Sequence, residues 1–142
     1  MSTVSPHSPV PVALSPAPPI RRLRQLLALD AVVTGVNGLV YVLAADPLET
    51  LLGVPTDLLR LVGAFLIAYS IAVAVVAGRA TPSRAATRTI IVANLAWAAA
   101  SLIVLATGAL SPTLLGGLWI AAQAAVVGGF AAAQSWASRR AG

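Results

Sequence analysis

Four apolar blocks, Leu26–Ala45, Leu58–Gly78, Ile90–Leu110 and Leu114–Ala133, fill most of the chain beyond residue 25. A helix needs about 20 apolar residues to cross the hydrocarbon core of a bilayer. Each block has that length. Lipid offers no partners for backbone polar groups, so a spanning segment must satisfy them internally. The predicted fold is therefore all-α, a bundle of four transmembrane helices with spans 26–45, 58–78, 88–110 and 114–135. These lie within one domain, 21–138. A tail, 1–20, precedes it and residues 139–142 follow.

Composition narrows the chemistry. Of 142 residues, 58% are hydrophobic and 9% charged, where a soluble domain carries about a quarter charged. The length suits one bundle and no second domain. Cysteine is absent, which excludes disulfides, thiol catalysis and thiolate metal sites. The single histidine, His7, sits in the proline-rich tail. No histidine-based metal site or triad can be built, and no metal or cofactor is expected.

A net charge of +5 does not indicate nucleic acid. The basic residues are all arginine, and all but Arg60 flank the ends of apolar blocks on one side. Arginines placed this way orient spans and touch lipid headgroups. Arg21, Arg22 and Arg24 precede the first span, Arg79, Arg84 and Arg88 separate the second from the third, and Arg139 and Arg140 follow the fourth. The opposite connections carry Asp46, Glu49 and Asp57, or only Ser111–Thr113. The positive-inside rule then predicts a multi-pass protein of the cell membrane with both termini cytoplasmic. Arg21-Arg22 before an apolar run also resembles a twin-arginine export signal. That run is long and contains Asp30 and Asn37, so it reads as a span.

The tail is rich in Pro and Ser with no periodic apolar face, and is expected to be disordered. Asp46-Pro47-Leu48-Glu49 has the pattern of a capping box opening a short interfacial turn that Gly53 stops. Thr81-Pro82 and Ser111-Pro112 read as starts of spans three and four. Small residues four apart, Ala121, Ala125, Gly129 and Ala133 in span four and Ala64, Ala68 and Ala72 in span two, predict close packing within the bundle. A homo-oligomer interface is the other use of such strips.

The polar residues inside the spans are the candidate site. Asp30, Thr34, Asn37 and Tyr41 fall on one stripe of span one. Asn94, Trp97 and Ser101 share a face of span three; Trp119, Gln123, Phe130 and Gln134 share one of span four. These stripes should point inward. An Asp within a span costs about 2.5–3.5 kcal/mol on insertion scales, so Asp30 needs partners. One reading makes it structural, bonded to Asn94 or Gln134 or reached by Arg88. The other makes it the acid or base of a reaction, being the only protonatable carboxyl in the spans. Thr34, Asn37, Tyr41, Asn94, Trp97, Trp119 and Gln123 are the candidate ligand-binding residues. Arg60 joins them as an anchor for an anionic group, countered by Asp46 or Glu49, unless it simply pairs with Asp57.

The run Leu29–Leu39 (LDAVVTGVNGL), followed by Gly53-Val54-Pro55 and Leu61–Phe65 (LVGAF), resembles a group of small actinobacterial four-helix integral membrane proteins without a settled activity. That group is similar in size and layout to DoxX-like proteins and, more distantly, to sterol-isomerase-like proteins. The resemblance spans about residues 21–137 and implies fold and location. Those isomerases use intramembrane acidic and histidine side chains. This chain has no histidine there, and no catalytic residue is carried over.

Three functions fit these residues. One is a membrane protein binding a lipophilic small molecule or supporting a membrane partner. Another is an intramembrane isomerase or cyclase acting on an apolar, terpenoid- or polyketide-like substrate. In that case Asp30 would move a proton and aromatic faces would stabilise cationic charge. The third is an oligomeric small transporter. Membrane lipids are partners in each.

Overall fold

The computed structural model describes residues 15–142. Its helices are α1 (Pro18–Leu43), α2 (Ala45–Leu52), α3 (Thr56–Gly78), α4 (Arg84–Thr107) and α5 (Leu114–Ala141). The four long ones are each long and apolar enough to cross a membrane. The protein is a small integral membrane protein built as a four-helix bundle, with the short α2 across one end.

Helix ends lie where backbone chemistry puts them, not where the apolar blocks stop. The expectation of a disordered tail over 1–20 lies, for residues 1–14, outside the described residues. Beyond them α1 already begins at Pro18, with proline in its first turn, where a missing N–H costs nothing. Ser83 rather than Thr81 caps α4, its hydroxyl accepting from the Ala86 N–H at 3.4 Å. Thr113 rather than Ser111 caps α5, accepting from the Gly116 N–H at 3.0 Å. In both cases proline stands just before the cap, outside the helix. α4 ends at Thr107 because Gly108 turns left-handed, φ 67°.

The Asp46 capping box does not form. α2 starts at Ala45 with no side-chain cap. Asp46 instead pairs with Arg60. Glu49 reaches forward to α3, where its carboxylate accepts from the Thr56 N–H at 3.1 Å and also from the Thr56 hydroxyl. Those two bonds hold its pKa below the ordinary carboxylate value of 4.5. Gly53 ends α2 at φ 69°. The last turn of α2 docks on the start of α5: the Thr113 N–H donates to the Leu52 carbonyl at 3.0 Å and its hydroxyl to the Leu51 carbonyl at 2.7 Å.

The long helices form a ring in which α1 neighbours α3 and α5, and α4 neighbours α5. α1 and α4 are diagonal and their backbones do not meet. The backbones of α3 and α4 barely touch. Side chains bridge that seam: the Phe65 ring stacks on Trp97 at 5.9 Å, and the Tyr69 hydroxyl donates to Asn94 Oδ1 at 3.0 Å. Closest packing occurs between α1 and α3, where Gly38 faces Gly63. A Cβ at Gly63 would lie 2.7 Å from the Gly38 carbonyl oxygen.

The predicted small-residue strips are not the packing faces. Ala64, Ala68, Ala72, Ala125 and Gly129 are exposed on the bundle surface, and Ala121 and Ala133 are only half-buried. The buried faces run through Leu59, Gly63, Leu66, Ser70, Val73 and Ala77 in α3, and through Gly116, Ala124, Ala131, Gln134 and Ala137 in α5. Small residues permit close approach but exert no pull. Polar side chains that need partners decide which face turns inward.

Two apolar clusters close the ends of the bundle. Leu23, Leu27, Val73, Ile90 and Ala137 gather at the end carrying the termini. Tyr41, Ala45, Leu52, Leu59 and Leu66 gather at the end carrying α2.

Candidate functional site

Asp30 is 1% exposed and is the acceptor on which a polar network converges. Its Oδ2 accepts from Asn94 Nδ2 at 2.7 Å and from Gln134 Nε2 at 2.8 Å, and its Oδ1 accepts from the Thr34 hydroxyl at 3.2 Å. Asn94 Nδ2 also lies 3.4 Å from Gln134 Oε1. With the Tyr69 hydroxyl donating to Asn94 Oδ1, the donors run in one direction, from α3 through α4 and α5 to α1. A buried polar cluster with each member partnered holds one arrangement of helices against others. Arg88 makes no bond to Asp30; it is exposed and lines a separate cleft.

A second polar group lies toward the α2 end. The Tyr41 hydroxyl accepts from Trp119 Nε1 at 2.8 Å and from Gln123 Nε2 at 2.6 Å, tying α1 to α5.

Between the two clusters lies a cavity of about 500 Å³. Thr34 and Asn94 line it at one end, Trp119 and Gln123 at the other, and Asn37, Tyr69 and Trp97 between them. Much of the remaining wall is apolar, from residues such as Val33, Val40, Leu66 and Val127. Wall residues Val32 and Val36 of α1 and Val126 of α5 are half exposed or more. Phe65 of α3 on the same wall is equally exposed, so the cavity opens toward the surface that faces lipid. A smaller cavity of about 220 Å³ adjoins it toward α2, sharing Trp97, Trp119 and Gln123.

Most polar side chains on the main cavity wall are already bonded. The Asn37 amide and the Trp97 indole N–H make no side-chain hydrogen bond among the described residues. They are the groups a guest molecule would meet unpaired.

No family model, curated protein or solved structure matches this chain.

The candidate residues separate into four groups. Thr34, Asn37, Asn94, Trp97, Trp119 and Gln123 come together on the cavity wall. Tyr41 lines the smaller cavity. Asp30 sits one side chain behind the main wall, held by Thr34 and Asn94. Arg60 is apart from all of them. Its partner is Asp46, at 3.2 Å on the exposed surface, and not Asp57.

Two wall residues escaped the sequence reading as site candidates, Tyr69 and Phe65. Their i, i+4 spacing puts both on one face of α3, and that face meets Trp97 and Asn94. The spacing was a usable signal, masked by the strip of small residues on the same helix.

Proposed function

We propose that this membrane protein binds a lipophilic small molecule bearing a polar group, in the cavity between the Asp30 and Tyr41 clusters. The observation that carries the reading is an apolar cavity with two unpaired polar groups, Asn37 and Trp97, midway along its wall. Its volume falls within the range of about 300–1,000 Å³ common for small-molecule pockets. Mostly apolar walls favour a guest drawn from lipid, and the lipid-facing wall residues give it a route in. The Asn37 amide can both donate and accept, so a carbonyl or hydroxyl on the guest would be matched.

The arginine distribution supports a location in the cell membrane with both termini cytoplasmic. Reporter fusions at residue 50 and residue 142 test this: activity of a cytoplasmic reporter at residue 50 would refute it.

Purification in mild detergent followed by mass spectrometry of extracted small molecules tests the ligand. A discrete lipophilic species should accompany the native chain. It should be depleted by Asn37→Leu, which removes the amide, and by Val33→Trp, which fills the cavity. The same bulk-lipid profile from all three proteins would overturn the proposal.

An intramembrane isomerase or cyclase is the second reading. Thr34 and Asn94 both contact Asp30 and both line the cavity, so a single hydrogen-bonded residue links carboxylate to guest. Asp30→Asn separates the readings. Binding alone survives the substitution; proton transfer by Asp30 does not.

A further inference from the structure

The end of the bundle carrying the termini has a second cleft, about 860 Å³ in volume and differently built. Arg84, Thr87 and Arg88 of α4 line it opposite Ser135, Ser138 and Arg139 of α5. Among the described residues no acidic side chain lines it, though Gly142 does, beside Arg84. The guanidinium of Arg84 donates to the Gly142 backbone oxygen at 3.0 Å. Arg88 and Arg139 make no ion pair or side-chain hydrogen bond among the described residues.

Thr87 is the unusual member. It is 2% exposed, and its hydroxyl is the buried side-chain polar atom left without a hydrogen-bond partner among the described residues. Buried polar groups are nearly always bonded, and one that is not calls for an explanation. Here Thr87 lines a cleft beside Arg88 and Arg139, with its hydroxyl buried in the cleft wall. It also lies one turn into α4, whose N-terminus carries partial positive charge that favours anions.

The cleft is not polar throughout. Ile91 and Val92 continue its wall one turn further along α4, and Val92 is 56% exposed on the surface that faces lipid. An occupant would thus be anionic at the arginine end and apolar where the cleft runs into the bilayer.

We infer that this cleft binds a phosphate group, with Arg88 and Arg139 neutralising it and the Thr87 hydroxyl donating to it. The apolar continuation makes an anionic phospholipid the source. This site is separate from the central cavity and does not rest on the ligand reading above.

The test uses the full chain in nanodiscs of phosphatidylcholine, with or without phosphatidylglycerol, and counts retained lipid by native mass spectrometry. Phosphatidylglycerol should be retained in preference. Arg88→Gln and Arg139→Gln should each weaken retention about fivefold, and Thr87→Val about threefold. Thr87→Ser keeps the hydroxyl and should keep the lipid. Thermal stability gives an independent readout. Thr87→Val should lower it more when phosphatidylglycerol is present than in phosphatidylcholine alone, whose phosphate is already neutralised by its own choline.

Inorganic phosphate added to phosphatidylcholine nanodiscs separates the sources. Stabilisation by phosphate that depends on Arg88 and Thr87, with no phosphatidylglycerol preference, supports the phosphate site and overturns the lipid as its source. Equal loss of retention from Arg21→Gln and Arg22→Gln, which lie outside the cleft, would show diffuse attraction and overturn the site. So would the absence of any preference together with no effect of phosphate.

Discussion

Asn94 of α4 donates to Asp30 of α1 at 2.7 Å, although the two helices are diagonal in the bundle and their backbones never meet. The bond crosses the interior. It fixes the distance between helices that no direct packing holds, and Gln134 braces it from α5 at 2.8 Å. Asp30 is thus a structural acceptor by its geometry, whatever else it does.

Substitution of Asp30 should sort by hydrogen-bonding capacity and not by charge. Asp30→Leu leaves the Asn94 and Gln134 amides without their acceptor and should cost about 2–4 kcal/mol. Asp30→Asn can turn its oxygen toward those amides and donate its own NH₂ to the Thr34 hydroxyl, which is able to accept. It should stay within about 1 kcal/mol of native. Reversible unfolding in mixed detergent micelles measures both. Equal destabilisation by the two variants would show that the charge itself is required.

The contact between Gly38 and Gly63 should tolerate no side chain. Gly63→Val sets new atoms against the Gly38 carbonyl and the Val42 side chain, and should cost at least about 2 kcal/mol. Gly129→Ala, where an added Cβ meets nothing within 4 Å, should stabilise by about 0.5–1 kcal/mol through helix propensity. The same unfolding assay compares them. A change of oligomeric state in Gly129→Leu, read by crosslinking, would show that the exposed strip serves an interface between copies.

Glu49 links α2 to α3 in a pH-dependent way. Its folded pKa lies below 4.5, so its contribution is fully present above that value. It is lost as pH falls through the folded value. The protection of the Thr56 amide against hydrogen exchange, relative to its intrinsic rate at each pH, should be high at neutral pH and fall in acid. Glu49→Gln should remove that pH dependence. An unchanged profile in the variant would show that the carboxylate does not hold this turn.

Tyr41→Phe removes the acceptor shared by Trp119 and Gln123 and leaves both donors unpaired. The loss should be about 1–2 kcal/mol. Tryptophan emission should shift as the Trp119 indole loses its hydrogen bond, and Trp119→Phe should remove the shift. Emission unchanged by Tyr41→Phe would count against the hydrogen bond.

The spans were legible because lipid imposes length and apolarity directly. The polar stripe Asp30–Thr34–Asn37–Tyr41 was legible for the same reason, since an amide or carboxyl in lipid must turn inward. Asn94 and Gln134 followed as partners for Asp30. The packing faces of α3 and α5 were not legible. Alanine and glycine strips mark where helices can approach, and a helix surrounded by lipid gains nothing by hiding them. The caps were misread by two residues because proline was placed inside the helix, whereas Pro82 and Pro112 stand just before it. Tyr69 was missed because its role exists only once α4 lies opposite. The i, i+4 spacing of Tyr69 with Phe65 marks a shared face of α3, but not which helix that face meets.

The bridging of α3 and α4 by side chains has a consequence for how the protein is made. α1 to α3 leave the ribosome first and can pack through Gly38 and Gly63 at once. That first hairpin carries Asp30 with Thr34 as its sole partner, because Asn94 and Gln134 belong to the segment still to be translated. The newborn half therefore waits in the bilayer with its carboxylate incompletely bonded until α4 and α5 arrive. Any delay or truncation after the first hairpin leaves an exposed polar flaw that membrane quality control can read.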